Sequence, residues 1–155
     1  MEFIIKEARP ADIDQMLPLL AQLFAIEQDF EFNAGIQTRG LQMMLDGCGK
    51  HRTVKVAWVN NTIVGMCTAQ TRISTAQGNI SAVVEDLVVD HEYRRKGIAT
   101  LLLSAIQEWA VHKGIKSISL LADKDNFHGL DFYYKKEWKP TALICLVKSL
   151  DQGSL

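Results

Sequence analysis

The fold is decided by residues 80–122, ISAVVEDLVVDHEYRRKGIATLLLSAIQEWAVHKGIKSISLLA. An apolar run predicts a strand over about 80–89, and apolar residues at helical spacing predict a helix over about 97–113 that ends at Gly114. A second strand follows over about 116–122 after a tight return. A strand, a helix and a strand in this order form a right-handed crossover with two parallel neighbouring strands.

The segments on either side of this unit extend its sheet. Short turns at Asn60-Asn61 and Gln77-Gly78-Asn79 predict antiparallel neighbours. Further strands are predicted over about 2–8, 53–59, 62–73 and 141–148. The sequence therefore predicts an α/β (α+β) fold with a mixed, mostly antiparallel sheet of six to seven strands, in a single domain that covers residues 1–155.

Helical spacing predicts three further helices, so about four in all. The first is expected to begin at a cap formed by Asp12 and Gln15, with a kink or a late start at Pro18. The second covers about 35–46, with Gly47 and Gly49 as stop signals, and the third covers about 127–136.

Composition and charge exclude several classes of protein. A formal net charge of −1 argues against a nucleic-acid binder, which needs a basic surplus or a basic face. No stretch reaches the roughly 18 apolar residues of a membrane span, and the N-terminus lacks a signal-peptide layout. The cysteines Cys48, Cys67 and Cys145 are odd in number and far apart, which predicts small core residues in a reduced, cytoplasmic protein. The four histidines have no ligand spacing, so no metal site is expected.

The most informative part of the crossover is the strand-loop-helix segment VVDHEYRRKGIATLLL, residues 88–103. Gly97 lets the backbone approach a ligand closely, and the amides of the first helical turn have no partners inside the helix. These amides lie at the positive end of the helix dipole, and Arg94, Arg95 and Lys96 add cationic charge there. The segment lacks both a GxGxxG and a P-loop motif, and it predicts a site for a pyrophosphate.

Two motifs give this chain a specific family resemblance. Arg94-x-x-Gly97-x-Ala99 resembles the pyrophosphate motif of the GNAT superfamily of acyl-CoA N-acyltransferases, Gln/Arg-x-x-Gly-x-Gly/Ala. Downstream, NFHGLDFYYKKEW, residues 126–138, is similar to the family segment Asn-x-x-Ala-x-x-Phe-Tyr-x-x-x-Gly-Phe. One departure is Glu137, which stands where the family has glycine.

The resemblance implies that acetyl-CoA is the donor and that the central parallel strands splay apart to admit it. It assigns the main chain of Leu87 and Val89, with Val88 between them, to the pantetheine arm. Asn126 is implied near the pantetheine or the acyl end. The pyrophosphate is assigned to the loop and first helical turn, namely Arg94, Arg95, Lys96, Gly97, Ile98, Ala99 and Thr100.

Two carboxylates stand out because they lie inside the apolar run SAVVEDLVV, where a charge needs a partner or a function. Neighbouring side chains on a regular strand point to opposite faces, so only a bulge could turn Glu85 and Asp86 toward one cleft. The resemblance implies that Glu85 is the base that deprotonates the amine, directly or through water, and that Tyr133 protonates the departing thiolate. Asp86 is a candidate amine contact.

The acceptor is predicted from the local charge. Asp29 and Glu31 belong to the acidic segment EQDFEFN between the first two helices, which in the family tends to border the acceptor cleft. A cleft lined by carboxylates attracts a cation, so the acceptor is expected to be a cationic or lysine-like amine. Alternatives left open are a non-catalytic acyl-CoA-binding regulatory module, a longer acyl donor and a protein amine. Oligomeric state is also open, with a homodimer as one alternative.

Overall fold

A computed structural model describes residues 2–27, 29–47 and 50–151 of the chain. The structure divides into two compact units, residues 1–121 and 122–155, and each unit is described by itself. Cys48, predicted to be a core residue, and Gly49, predicted to help end the second helix, lie outside the described residues.

The first unit is built on a five-stranded sheet in the order β1-β2-β3-β4-β5. The strands are β1 (Ile4–Glu7), β2 (Arg52–Val59), β3 (Thr62–Ser74), β4 (Asn79–Val89) and β5 (Ile118–Leu120). The first four are antiparallel neighbours, and β4 pairs with β5 in parallel. This confirms the predicted mixed sheet and its parallel pair, with fewer strands than expected.

Three helices belong to the same unit: α1 (Ile13–Ile26), α2 (Ala34–Leu45) and α3 (Ile98–His112). Helix α1 runs through Pro18, so the predicted late start is wrong. Asp12 is the N-cap residue of α1, as predicted, but its side chain does not cap this helix. The Asp12 carboxylate accepts from the Arg9 amide at 2.8 Å, and the Gln15 amide oxygen accepts from Ile63 N at 2.9 Å. Gln15 therefore ties the helix to β3.

Helices cover both faces of the sheet. Successive residues of β3 point to opposite faces, and two neighbours on this strand pack against different helices. Met66 is fully buried in one core with Met16, Leu19 and Leu20 of α1. Its neighbour Gly65 faces α3, where an added Cβ would lie 3.1 Å from Leu102 Cδ1. The central part of β3 is therefore buried on both faces.

The second unit contains helix α4 (Phe127–Lys135). The predicted last strand, 141–148, is wrong: in the described part of the chain this segment pairs with no strand, and both Leu143 and Cys145 are exposed. A strand exists only when its backbone groups pair with a neighbour, and an apolar, β-branched sequence does not supply that neighbour.

Candidate active site

A bulge interrupts the pairing of β3 with β4 at the two unusual carboxylates. Met66 lies opposite Val88 and Thr68 lies opposite Glu85, so the single residue Cys67 faces two residues of β4. One of those two, Asp86, has a φ of 54°, in the left-handed region that side chains other than glycine rarely adopt. A bulge is needed for Glu85 and Asp86 to face one cleft, and a bulge is present next to them.

The parallel pair ends just before this bulge. Pairing of β4 with β5 runs from Ala82 opposite Ile118 to Val84 opposite Leu120 and stops there. Beyond this point Glu85, Val88 and Val89 pair with β3 alone. One edge of β4 is thus left open over Leu87, Val88 and Val89, and Val89 O accepts a bond of 3.2 Å from Arg94 Nε.

The open edge leads directly into a tightly held loop. Asp90 N donates to Val64 O at 2.8 Å, and the Asp90 carboxylate accepts from Glu92 N at 2.9 Å. Gln22 of α1 holds the same loop from the other side: its Nε2 donates to Asp90 at 3.1 Å and its Oε1 accepts from His91 N at 3.0 Å. The chain therefore leaves the sheet in a fixed direction before it reaches the basic residues.

The N-terminus of α3 has the features that the sequence predicts for an anion site. Gly97 is the N-cap residue with a φ of 84°, and no described atom beyond its chain neighbours lies within 4 Å of the position that a Cβ would occupy. Arg94, Arg95 and Lys96 are exposed, whereas Ile98 is 1% exposed and anchors the helix in the core. Amides of the first turn, which includes Ala99 and Thr100, have no partners inside the helix and suit an anion.

Sequence reasoning missed Gly65, which sets how close α3 comes to the sheet. A Cβ at this position would lie 3.2 Å from Ile98 Cγ2 and 3.3 Å from Val88 O. Both neighbours belong to the candidate site, so a glycine here lets the first turn of α3 pack directly on β3 and β4. The sequence gives no signal for this role, because a lone glycine in a strand has several explanations.

The two carboxylates of the bulge differ in environment. Glu85 is exposed, whereas Asp86 is half-buried and accepts from Thr68 Oγ1 at 3.1 Å. Burial, followed by the charge of Glu85, raises the pKa of Asp86 from 3.8 to about 6, and the Thr68 hydrogen bond opposes this rise. The pKa of the neighbouring Cys67 thiol is also raised, mainly by burial, so this cysteine is a core residue without thiolate character.

In the second unit, Asn126 is the N-cap of α4, and its Oδ1 accepts from Gly129 N at 3.1 Å. A Cβ at Gly129 would lie 2.7 Å from Asn126 Nδ2, so the small residue of the family segment makes room for this cap.

Tyr133 takes part in the motif that ends α4. Trp138 N donates to Tyr133 O at 3.1 Å and Glu137 N donates to Tyr134 O at 3.1 Å, which together form a Schellman motif. The rings of Tyr133 and Trp138 pack edge to face with centroids 6.0 Å apart. Glu137 has a φ of 70°, so the turn that the family makes with glycine is kept here by a residue with a side chain.

The acidic segment before α2 is exposed. Asp29, Glu31 and Phe32 are all accessible to solvent, and the Phe30 ring packs on Phe24 of α1 with centroids 5.5 Å apart. Within residues 2–27, 29–47 and 50–151, no group of three potential ligands could hold a metal ion, and no helix has the length and hydropathy of a membrane span.

Comparison with known proteins gives one family match and several solved structures of similar fold. The acetyltransferase (GNAT) family matches residues 20–137. A possible acetyltransferase from Clostridium difficile 630 has 21% identity and a TM-score of 0.82, covering 97% of this chain and 99% of that one. Aminoglycoside N-acetyltransferase AAC(6')-Iy, solved in complex with CoA, has 16% identity and a TM-score of 0.81, with 96% and 95% covered.

A sequence relative, the uncharacterized protein YxbD of Bacillus subtilis (strain 168), is 36% identical over 55 residues. This match spans 36% of the chain and 35% of the relative. The family match is much longer: it begins in α1, includes the bulge, the basic loop and α3, and reaches the end of α4. The chain therefore belongs to the acetyltransferase (GNAT) family.

Proposed function

We propose that this protein transfers an acetyl group from acetyl-CoA to a cationic amine. The observation that carries the proposal is the continuity of the open edge of β4 with the loop that begins α3. Main-chain groups of Leu87–Val89 lie on that edge, and the cations and free amides of 94–100 follow within a few residues. An elongated ligand with amides at one end and a pyrophosphate farther along has this order of polar groups.

The residues present suit the cofactor. The open space at Gly97 admits a phosphate next to the backbone, and the three exposed cations beside it supply charge-assisted hydrogen bonds. Arg94 is already directed at Val89 O, so its guanidinium also supports the end of the open edge. We assign the pantetheine to Leu87, Val88 and Val89 and the pyrophosphate to residues 94–100. Asn126 is assigned near the acyl end on the family motif alone.

The chemistry requires removal of a proton from the amine. A lysine-like amine has a pKa of about 10.4, so its neutral form costs roughly 4–5 kcal/mol at pH 7. We assign Glu85 as the base, directly or through water, because it is exposed at the bulge beside the open edge of β4. Asp86 is assigned to hold the ammonium before transfer. Tyr133 is assigned as the acid that protonates the thiolate, on the family motif alone.

Charge and apolar area together support a cationic acceptor. Asp29 and Glu31 flank the exposed Phe30 ring, and an aromatic face attracts the methylene stem or the charge of an amine. An aminoglycoside carries several amines, so the known acceptor class of one protein with this fold has the same chemistry. We propose that the enzyme works in the cytoplasm. A homodimer stays a prediction.

The deciding experiment measures release of free CoA thiol with a panel of polyamines, aminoglycosides, lysine-like amines and basic peptides. Acetyl-CoA is compared with a longer acyl-CoA at equal concentration, and anionic amines serve as controls. Turnover confined to cationic acceptors supports the proposal. Tight binding of acetyl-CoA without turnover on any amine would contradict it and favour the regulatory acyl-CoA-binding module.

A further inference from the structure

Thr68 of β3 is a buried polar residue that contacts the Asp86 carboxylate and the main-chain carbonyl of Glu85. It is 1% exposed, in the middle of an otherwise apolar stretch of strand. Its Oγ1 lies 3.2 Å from Glu85 O and 3.1 Å from Asp86 Oδ2. A buried hydroxyl within reach of two acceptors on the neighbouring strand is a specific arrangement, because a valine of the same shape would complete the core equally well.

The hydroxyl carries one proton and faces two acceptors. When Asp86 is ionised, its carboxylate is the stronger acceptor and takes the Thr68 proton. When Asp86 is protonated, its own proton can be donated to Thr68 Oγ1, and the Thr68 proton is then free for Glu85 O. That carbonyl adjoins the bulge, where regular ladder pairing is interrupted. Thr68 therefore satisfies the bulge in either protonation state of Asp86.

We propose that Thr68 is a positioning residue for amine binding, which holds the Glu85–Asp86 bulge and aims the Asp86 carboxylate at the acceptor. The inference rests on the proposed function, because it assigns Asp86 to the amine. The left-handed backbone of Asp86 directs its side chain differently from a regular strand residue, and Thr68 is the described side chain that fixes it there by a hydrogen bond.

Few other charges act on this carboxyl. Glu85 on β4 and Cys67 on β3 are the titratable side chains that interact with Asp86. The charged residues Asp14 of α1 and Glu108 and His112 of α3 lie elsewhere: Asp14 is next to Gln15 at the Asn61 turn, and the other two line a cavity with Ile5–Glu7 at the β1 side of the sheet. The Thr68 hydroxyl is thus the neighbouring group that favours the ionised form of Asp86.

The test compares Thr68→Val, which keeps the shape and removes the hydroxyl, with Thr68→Ser, which keeps the hydroxyl. The Asp86 carboxyl is titrated by carbon-13 NMR in wild type and both variants, and the KM of the best amine is measured from pH 6 to pH 9. We expect Thr68→Val to raise the pKa of Asp86 by about one pH unit, because a hydrogen bond to the ionised form is lost. At pH 7 about half of the Asp86 carboxyls would then be neutral.

The KM for the amine should accordingly rise about twofold at pH 7 and about fivefold at pH 6 in Thr68→Val, because apparent affinity scales with the ionised fraction of Asp86. It should return to the wild-type value near pH 9, while Thr68→Ser follows wild type. An unchanged Asp86 titration in Thr68→Val, or a Thr68→Ser variant that behaves like Thr68→Val, would overturn the proposal. If wild type turns over no amine, the proposed function fails, and the titration still decides whether Thr68 controls Asp86.

Discussion

Gly97 and Gly114 stand at the two ends of α3 with the same backbone geometry. Their φ angles are 84° and 74°, and beyond the chain neighbours no described atom lies within 4 Å of the position of an added Cβ. A side chain would therefore strain both turns alike without a clash. The difference between them is functional in the proposal, because only Gly97 adjoins the predicted pyrophosphate.

This pair gives a matched test of the cofactor site. We expect Gly97→Ala and Gly114→Ala each to lower the free energy of unfolding by about 1 kcal/mol, the cost of a left-handed alanine. Calorimetry should show at least a tenfold loss of CoA affinity in Gly97→Ala, because the methyl group occupies the space of a phosphate oxygen. Gly114→Ala should bind CoA like wild type. Equal CoA affinities in the two variants would remove the pyrophosphate from this turn.

The roles assigned to Glu85 and Tyr133 lead to a second prediction. Removal of a general base costs about 10²–10⁴ in rate, and the amine proton is harder to remove than the thiolate is to protonate, since a thiol has a pKa of about 8.5. We expect Glu85→Gln to lower kcat at pH 7 more than Tyr133→Phe does. The Glu85→Gln defect should shrink as the pH rises toward the amine pKa, because the solution then supplies neutral amine.

A pH–rate profile of the two variants measures this effect. If Glu85→Gln had the same kcat as wild type at pH 7, another residue or a water chain would be the base. A Glu85→Gln defect that does not depend on pH would instead show that Glu85 positions the substrate.

Much of this site was predictable because its signals are local. Gly97, Gly114 and the Asn60 turn act through their own backbone, and all three have the left-handed φ that such turns use. Glu85 and Asp86 were informative because two adjacent charges conflict with a buried strand, and the bulge resolves that conflict. In each case the residue and its structural consequence are neighbours in the chain.

What could not be predicted depends on a distant partner. Gly65 matters through Ile98 and Leu102 of α3, and Thr68 matters through a bulge on the next strand. Segment 141–148 has the composition of a strand, but pairing is decided by a neighbour that the sequence does not specify. Gln15 matches a capping residue in type, yet its side chain accepts from Ile63 N of β3, which is 48 residues away in the chain.

The buried position of Asp86 predicts a pH-dependent cost to stability. Its pKa is raised from 3.8 to about 6, so the folded state holds this proton more tightly than the unfolded state does. The stabilising contribution of this bound proton is fully present below about pH 4 and is lost as the pH rises through 6, where the carboxyl ionises in the folded state. Asp86→Asn removes the ionisation and should raise the free energy of unfolding at pH 7.5 by about 1–3 kcal/mol.

Urea unfolding at pH 4 and pH 7.5 measures this difference. The gain of Asp86→Asn should be present at pH 7.5 and nearly absent at pH 4, while the KM for the amine rises. A gain of the same size at both pH values would mean that the carboxyl does not titrate in this range.

Glu137 predicts a second stabilising change. It adopts the left-handed conformation at the end of α4 that the family makes with glycine. Glu137→Gly should raise the free energy of unfolding by about 1 kcal/mol, because the strain is removed. Glu137→Ala is the control, since it removes the same carboxylate but keeps the Cβ. Equal gains from both variants in urea unfolding would show that the charge, and not the backbone, carries the cost.

The acidic segment before α2 leads to the last prediction, on the sign of the acceptor. Asp29 and Glu31 are exposed, so their attraction for a cationic amine is screened beyond about 8–10 Å at physiological salt. Exposed charge pairs contribute about 0.2–1 kcal/mol each, so the double variant Asp29→Asn/Glu31→Gln should raise the KM of the best amine about 2- to 30-fold with little change in kcat. The wild-type KM should also rise with ionic strength.

The matched control is Asp14→Asn/Glu108→Gln, which makes the same change of net charge at two exposed positions outside the segment. If the local acids attract the amine, the control variant keeps the wild-type KM and its dependence on salt, whereas the Asp29/Glu31 variant loses most of that dependence. An equal rise of KM in both double variants would mean that the overall charge of the protein, and not this segment, attracts the acceptor. An anionic or neutral best acceptor would contradict the acidic-cleft hypothesis while leaving the acetyltransferase fold and the CoA site untouched.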